Sequence, residues 1–234
     1  MRILALDSSG LVASVAVVGE EQTAAEYTVN YKKTHSQTLL PMLDEVAKMI
    51  ELDMDTIDAI AVAGGPGSFT GLRIGSATAK GLGLALHKPL IHVPTLEGLA
   101  YNLYGTAGII CPIMDARRNQ VYTGLYRAEH TFEVVEDQMA AAVEELAARL
   151  NAAGEKVTFL GDGVPVYKEM LEEKLTVEHY YAPAHMNRQR AASVGALGMK
   201  YLLEGRSETA AEHRPDYLRV SQAERERKER LKES

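Results

Sequence analysis

The stretch from residue 60 to 83, IAVAGGPGSFTGLRIGSATAKGLG, constrains the fold most, because it joins an apolar run, a glycine-proline loop and a small-residue helix without a break. The apolar run at 60–63 is too short for a helix and predicts a strand covered on both faces. The glycines of the loop permit positive φ or close backbone approach. Ser68 or Thr70 is the expected N-cap of a helix that ends near Leu86.

Small residues recur every four positions along this helix, at Gly71, Gly75, Ala79 and Gly83. Four residues make just over one turn, so they form a stripe along one face to which another element can approach closely. Each interior glycine costs about 1 kcal/mol relative to alanine, and close packing would offset that cost. The packing partner is either another molecule or another part of this chain, and the sequence leaves both open.

Composition excludes several classes of protein. The 234 residues, 46% of them hydrophobic, suffice for one large domain or two small ones. The single cysteine, Cys111, excludes an intrachain disulfide and is expected to be buried and inert in a reducing compartment. No secretory leader or membrane span is apparent. We therefore expect a cytoplasmic protein with no membrane role. The net charge of −7 argues against a broad phosphate-binding surface, so any work on nucleic acid is expected to be shared with a partner.

The chain repeats one order of elements. The first half predicts strands at 3–6, 12–18, 23–29, 60–63 and 90–93, and helices at 35–50, 70–86 and 95–104. The second half predicts strands at 109–115, 120–127, 131–136, 157–160 and 177–180, and helices at 139–150, 164–171 and 188–203. Two successive β-β-β-α-β-α-β-α units indicate a duplicated α/β fold with two sheets and a cleft between them, the layout of actin, Hsp70 and sugar kinases. We expect halves at 1–106 and 107–221, and a charged tail at 222–234 without assigned function.

Five segments in order carry a family resemblance: MRILALDSS, HSQTLLPMLDEV, AGGPGSFTGLRIGSATAKGLGLAL, KPLIHVPTLEGLA and DARRNQVYTGLY. With them, the chain up to PDYLR near Pro215 resembles the TsaB (YeaZ-like) family. That family is similar in its N-terminal half to the metal-binding TsaD, or glycoprotease-like, family. The resemblance implies a non-catalytic subunit of the complex that attaches a threonylcarbamoyl group to the adenosine beside the anticodon of tRNA.

The resemblance also bears on metal binding. In the catalytic relatives, the segment matching IHVPTLEGLA carries two histidines four apart on a helix, which puts both imidazoles on one face to hold a metal. Thr95 and Leu99 stand at those positions here. We therefore expect no metal site, no cofactor and no catalytic residue. His35 and His92 have no second histidine at helical spacing and are expected to be surface or capping residues.

The two N-terminal helices are the predicted partner-binding surface. The first has a core stripe of Leu39, Leu43, Val46 and Ile50, with Met42 and Met49 assigned to another face. Apolar residues on several sides, beside a small-residue helix, predict an exposed helix pair that forms a four-helix bundle with a second pair. The predicted contact residues are His35, Leu39, Met42, Leu43, Val46, Met49, Gly71, Gly75, Ala79 and Gly83.

The resemblance also implies which proteins bind this surface. In the family it binds the catalytic TsaD subunit, and without TsaD it can pair with a second copy of the chain as an isologous dimer. The TsaE ATPase is a further implied partner, and tRNA is reached through the complex. Activity is therefore expected only when the partners are present.

Two features keep other interpretations open. Asp7, at the end of the first strand, lies where proteins of this architecture meet nucleotide phosphates, so a small-molecule kinase or nucleotide-binding protein is the alternative. The GGPGSFTG loop matches no phosphate-loop pattern, and Pro66 removes a donor, which favours a simple turn. Arg117 and Arg118 lie either on a solvated turn or against a partner carboxylate or tRNA phosphate.

Overall fold

The structure is a computed structural model that describes residues 1–31 and 35–218, so the predicted tail at 222–234 lies outside the described residues. The strands are β1 (Arg2–Asp7), β2 (Ala13–Gly19), β3 (Thr23–Val29), β4 (Ala59–Ala63), β5 (Leu90–Val93), β6 (Ile109–Asp115), β7 (Gln120–Arg127), β8 (Glu133–Ala142), β9 (Val157–Leu160) and β10 (His179–Tyr181). The helices are α1 (His35–Met49), α2 (Phe69–Leu86), α3 (Thr95–Ala100), α4 (Val143–Ala153), α5 (Val164–Lys174) and α6 (Ala191–Leu203).

Each half of the chain builds one five-stranded sheet. The first sheet has the order β3-β2-β1-β4-β5, and the second, read in the same direction, has the equivalent order β8-β7-β6-β9-β10. In both, the first strand of the half pairs antiparallel with the second and parallel with the fourth. The predicted duplicated α/β fold is therefore confirmed. The predicted division at residues 106 and 107 falls between β5 and β6.

The helices cover the sheets in layers. α1 and α2 pack on one face of the first sheet, α3 and α6 fill the space between the two sheets, and α4 and α5 pack on the outer face of the second. α6 follows the second sheet in the chain but contacts β1, β2, β4 and β5 of the first. The segment after it pairs Glu208 with Leu90 of β5 through two backbone hydrogen bonds. The end of the described chain thus returns to the first half.

The clearest difference from the sequence prediction lies at residues 139–142, which continue β8 instead of opening a helix at Met139. Alanine-rich sequence favours a helix here. Pairing with β7 overrides that preference, with Gln120 opposite Ala142 and Tyr122 opposite Ala140. α4 therefore begins only at Val143. Within residues 1–31 and 35–218, none of the helices has both the length and the apolar character that crossing a bilayer requires.

α6 lies close to the first sheet because two of its glycines face it. A Cβ atom added at Gly195 would lie 2.6 Å from the Val18 side chain, and one at Gly198 would lie 2.8 Å from the Ala61 Cβ atom. Both distances are too short for carbon atoms in contact, so glycine is required for this approach. Gly81 of α2 differs, because a Cβ atom there would have no heavy atom within 4 Å.

The substitutions Gly195→Ala and Gly81→Ala should change the free energy of unfolding in opposite directions. Gly81→Ala should raise the free energy of unfolding by about 1 kcal/mol, since alanine is the better helix former at an open position. Gly195→Ala should lower it by about 1 to 3 kcal/mol, because the methyl group overpacks the contact with β2. Urea unfolding followed by circular dichroism measures both. A stabilised Gly195→Ala protein would contradict the close contact between α6 and β2.

Candidate functional site

α1 directs its main apolar stripe into the molecule. Leu39, Met42, Leu43 and Val46 are at most 6% exposed and pack in the core beneath the first sheet. Their spacing of i, i+3, i+4 and i+7 places them on one helix face, so Met42 belongs to the core stripe. The prediction that these four residues contact a partner is wrong, because they are covered by their own chain. Met49 is 83% exposed, and its role in partner binding stays a prediction.

The small-residue stripe of α2 also faces the interior. All four residues of the stripe are buried: Gly71, Gly75, Ala79 and Gly83. A Cβ atom at Gly71 would lie 2.0 Å from the Ser8 carbonyl oxygen, and one at Gly83 would lie 2.5 Å from the Leu90 side chain. The stripe thus lets α2 approach the end of β1 and the start of β5. Its prediction as a surface for another molecule is wrong, since the packing partner is intramolecular.

The exposed side of α2 carries a second row of small and apolar residues. Ala77, Gly81, Leu84 and Ala85 follow i, i+4, i+7 and i+8 spacing and are exposed; we call them the outer α2 face. Leu84 is 67% exposed. Gly81 costs helix stability, and no close packing within the described chain explains it. Sequence reasoning missed this face, although Gly81 was visible as a glycine outside the stripe.

α1 contributes two exposed apolar side chains beside this face. Leu40 is 54% exposed and Met49 is 83% exposed. They are nine residues apart, which at about 100° per residue puts them on opposite flanks of the helix. Between them, the outermost side of α1 is charged and carries the ion pair of Asp44 with Lys48. Since α1 contacts α2 along one side, only one of the two apolar flanks can border the outer α2 face.

The starts of both helices are tied to the loop that follows β1. The Ser8 hydroxyl donates to the Gly71 carbonyl oxygen at 2.9 Å, and Gly71 N–H donates to the N-cap Ser68 at 3.3 Å. His35 Nε2 lies 2.8 Å from the Gly10 carbonyl oxygen. His35 therefore has a contact within its own chain, and its role in partner binding stays a prediction.

A cavity of about 670 Å³ opens between the two sheets. The loops after β1 and before α2 line one side of it. Its described lining carries three carboxylates, Asp115, Asp162 and Asp216, and a single arginine, Arg117. Burial raises the pKa of Asp162. An acidic lining of this kind disfavours the phosphates of a nucleotide.

The glycine loop between β4 and α2 is filled by the protein's own backbone. Gly65 N–H donates to Thr95 Oγ1 at 3.0 Å, and Ser68 N–H donates to the Ser9 carbonyl oxygen at 2.6 Å. A Cβ atom at Gly67 would lie 2.2 Å from that same oxygen. Glycine here serves close backbone packing. N–H groups that a phosphate would need are already used.

Asp7 is held within its own turn. Its side chain is buried, and its Oδ1 atom accepts from the Ser9 N–H at 2.8 Å and from the Ser9 hydroxyl at 2.7 Å. Burial raises the pKa of Asp7 to about 6, although the hydrogen bonds from Ser9 act in the opposite direction. This is the turn arrangement favoured from the sequence over a nucleotide site.

α3 offers no metal ligand at the two positions where the resemblance places histidines in the catalytic relatives. Thr95 accepts the hydrogen bond from Gly65, and Leu99 is 1% exposed in the core between the sheets. His92, expected to be a surface or capping residue, lies within β5 and is partly buried. The ring of His213 lies 5.6 Å from it between centroids, and Asp216 Oδ2 lies 3.5 Å from its Nε2.

The turn between β6 and β7 is strained. Arg117, Arg118 and Asn119 have φ values of 63°, 57° and 56°, a left-handed conformation that costs about 1 kcal/mol or more for each L residue. Both arginines are exposed. Their contact with an anion stays a prediction.

Known proteins are similar to this chain over most of its length. The family model described as "TsaD: tRNA N6-adenosine threonylcarbamoyltransferase" matches residues 22–227. The tRNA threonylcarbamoyladenosine biosynthesis protein TsaB of Bacillus subtilis (strain 168) is 36% identical over 228 residues, which is 96% of each chain. The chain belongs to the TsaB family. The protein of that name from Escherichia coli (strain K12) is 29% identical over 94% of this chain and 95% of its own.

Solved structures place the TsaB family chain in the same fold. YeaZ from Pseudomonas aeruginosa has a TM-score of 0.79 at 27% identity, covering 93% of this chain and 99% of that one. The inorganic polyphosphate/ATP-glucomannokinase from Arthrobacter sp. strain KM has a TM-score of 0.51 at 13% identity, covering 87% and 99%. The second likeness concerns the fold alone, and it confirms the sugar-kinase-like architecture.

The pH dependence of stability tests the burial of Asp7. Since the pKa of Asp7 rises from 3.8 to about 6 on folding, the folded state binds this proton more tightly, and stability falls as the pH rises through that range. Between about pH 4 and about pH 7 the native protein should lose about 2 kcal/mol relative to Asp7→Asn, which has no carboxyl to ionise. Urea unfolding at pH values from about 4 to about 7 measures the difference. A difference that does not change with pH would contradict a buried carboxyl.

Proposed function

We propose that this chain is the non-catalytic subunit of the complex that forms threonylcarbamoyladenosine in tRNA, and that it binds and activates a catalytic TsaD subunit. TsaD would transfer the threonylcarbamoyl group from threonylcarbamoyl-AMP to the adenosine beside the anticodon. Membership of the TsaB family supports the pathway, since its relatives are named for threonylcarbamoyladenosine biosynthesis.

The observation that carries the binding role is the outer α2 face. Its four residues are exposed, uncharged and mostly without bulky side chains, and Arg73 and Lys80 lie along its edge. Small side chains let two helix axes approach to the lower end of the usual range of about 8 to 10 Å. The fitting partner is therefore a helix that lies along α2, supplied by TsaD or, in its absence, by a second copy of the chain.

Three features support the absence of catalysis in this chain. Thr95 and Leu99 supply no imidazole where the catalytic relatives have histidines. The glycine loop is filled by the backbone of Ser9, and the carboxyl of Asp7 is engaged in its own turn. The acidic cavity and the filled loop also disfavour the alternative of a small-molecule kinase or nucleotide-binding protein.

The charge of the chain supports an indirect role on tRNA. A net charge of −7 disfavours a phosphate-binding surface spread over this subunit, so tRNA would be held by the assembled complex. The TsaE ATPase would act on that complex. Isologous pairing of two copies through the outer α2 face would give a dimer that TsaD displaces.

Leucine at Ala77 or Gly81 should weaken binding to TsaD without unfolding the chain. Both positions are exposed, and leucine is a good helix former, so the monomer should be unchanged or more stable. Overpacking of a close helix contact costs about 1 to 3 kcal/mol, which corresponds to a loss of affinity of about 5- to 150-fold. Titration calorimetry with TsaD of the same organism measures affinity, and formation of threonylcarbamoyladenosine by the TsaD–TsaE mixture measures activation.

Ala148→Leu is the matched control, since Ala148 is an exposed alanine within α4 of the other half. It should leave affinity and activation unchanged. Unchanged affinity in both α2 variants, with far-ultraviolet circular dichroism of a folded protein, would contradict the outer α2 face as the interface. Turnover by this chain without TsaD would contradict the non-catalytic role separately.

A further inference from the structure

A cluster of potential metal ligands lies where the segment after α6 crosses β5. His92 belongs to β5, and Glu208 and His213 belong to the crossing segment. One nitrogen or oxygen atom from each of the three lies within 4.8 Å of the others. Asp216 adds a fourth group, with its Oδ2 atom 3.5 Å from His92 Nε2.

We propose that His92, His213 and Asp216 bind a divalent transition-metal ion, best matched by Zn²⁺, and that Glu208 orients His213 through its Nδ1 atom. Two imidazoles with a carboxylate are a donor set that zinc uses, and imidazole selects zinc over Mg²⁺ and Ca²⁺. In a tetrahedral site with bonds of about 2.0 Å, neighbouring ligand atoms are about 3.3 Å apart. The ligand atoms of His92, Glu208 and His213 lie within 4.8 Å of one another, so a bound ion would draw the ligands closer together.

A second observation points to a ligand at this place. The His213 side chain is 0% exposed, and its Nδ1 atom lies 2.6 Å from Glu208 Oε1. Its Nε2 atom is buried and has no hydrogen-bond partner among the described residues. An unpaired buried polar atom costs about 1 to 3 kcal/mol, and a bound ion removes that cost. Glu208 meanwhile holds the other nitrogen, as carboxylates do for zinc-bound histidines.

His92 and Glu208 are held in place before any ion binds. The His92 ring lies against the backbone of Gly64, where an added Cβ atom would be 2.1 Å from His92 Cε1. The backbone of Glu208 is fixed by two hydrogen bonds with Leu90, both 2.9 Å, and its carboxylate contacts His213 Nδ1 at 2.6 Å. Preorganised side chains lose little entropy when they bind a metal.

The site would clamp the crossing segment onto the first half. Asp216 N–H donates to the Gly64 carbonyl oxygen at 2.6 Å. The ring of Tyr217 packs on Phe69 at the start of α2, with centroids 4.7 Å apart. An ion at His92 and His213 therefore adds a further attachment of this segment beside the mouth of the cavity. This site differs from the metal centre of the catalytic relatives. Their two histidines correspond to Thr95 and Leu99 of α3, and Leu99 is buried between the sheets.

Metal titration of the full-length chain tests the site directly. Protein freed of any affinity tag and stripped by chelator is titrated with Zn²⁺ against a competing indicator, and with Co²⁺ for its visible absorption. We expect one equivalent of either ion, a tetrahedral Co²⁺ spectrum, and a higher melting temperature with Zn²⁺ but not with Mg²⁺. Failure to bind one equivalent of Zn²⁺ would overturn the proposal, whether or not the chain binds TsaD.

Three variants test which residues hold the ion: two replace the histidine ligands and one replaces Glu208, which orients His213. His92→Gln and His213→Gln should each lower Zn²⁺ affinity by more than about tenfold, and Glu208→Gln by about 10- to 100-fold. His179→Gln is the matched control, because His179 faces a single carboxylate, Glu172, at 3.3 Å. It should keep full affinity. His92 is partly exposed, so its variant decides the matter if His213→Gln fails to fold, and unchanged affinity in His92→Gln would overturn the site.

Discussion

The close backbone contact between α2 and the loop after β1 is the constraint on which the rest of the structure depends. Glycine at positions 71 and 75 brings the helix against Ser8, whose hydroxyl bonds the Gly71 carbonyl oxygen. Strand, loop and helix thereby form one unit, since Ser68 also donates to the Ser9 carbonyl oxygen. The layer of α1 and α2 packs on one side of this unit. On the other side, the segment around Asp216 contacts it through the Gly64 carbonyl oxygen and the ring of Phe69.

The same contact affects both the site beside the glycine loop and the face that α2 exposes. A fold shared with a sugar kinase has a cleft between its halves, but here the backbone of Ser9 fills the place beside the glycine loop. The same packing turns the glycine stripe of α2 inward and leaves Ala77, Gly81 and Leu84 outside. A chain with a filled glycine loop and an exposed row of small and apolar residues on α2 is suited to binding a partner, as we propose.

Much of the fold could be predicted because its signals are local. β3, β5, β6, β7 and β9 have the predicted limits, since short apolar or β-branched runs between turns identify a strand without reference to the rest of the chain. The start of α4 could not be predicted, because the alanines at 140–142 become strand only through pairing with β7. Most residues predicted for the interface lie on the buried faces of α1 and α2. Spacing identifies residues that share a face, yet it does not say which face the sheet will cover.

The sequence by itself determined the order of the elements, the duplication of that order, the core spacing within each helix and the family of the chain. All of these depend on residues near one another in the chain or on ordered motifs. Only the tertiary structure decided that α6 returns to the first sheet, that the outer α2 face is the exposed one, and that His213 meets His92. Such contacts join distant parts of the chain, and they arise from packing of whole layers, which no local spacing encodes.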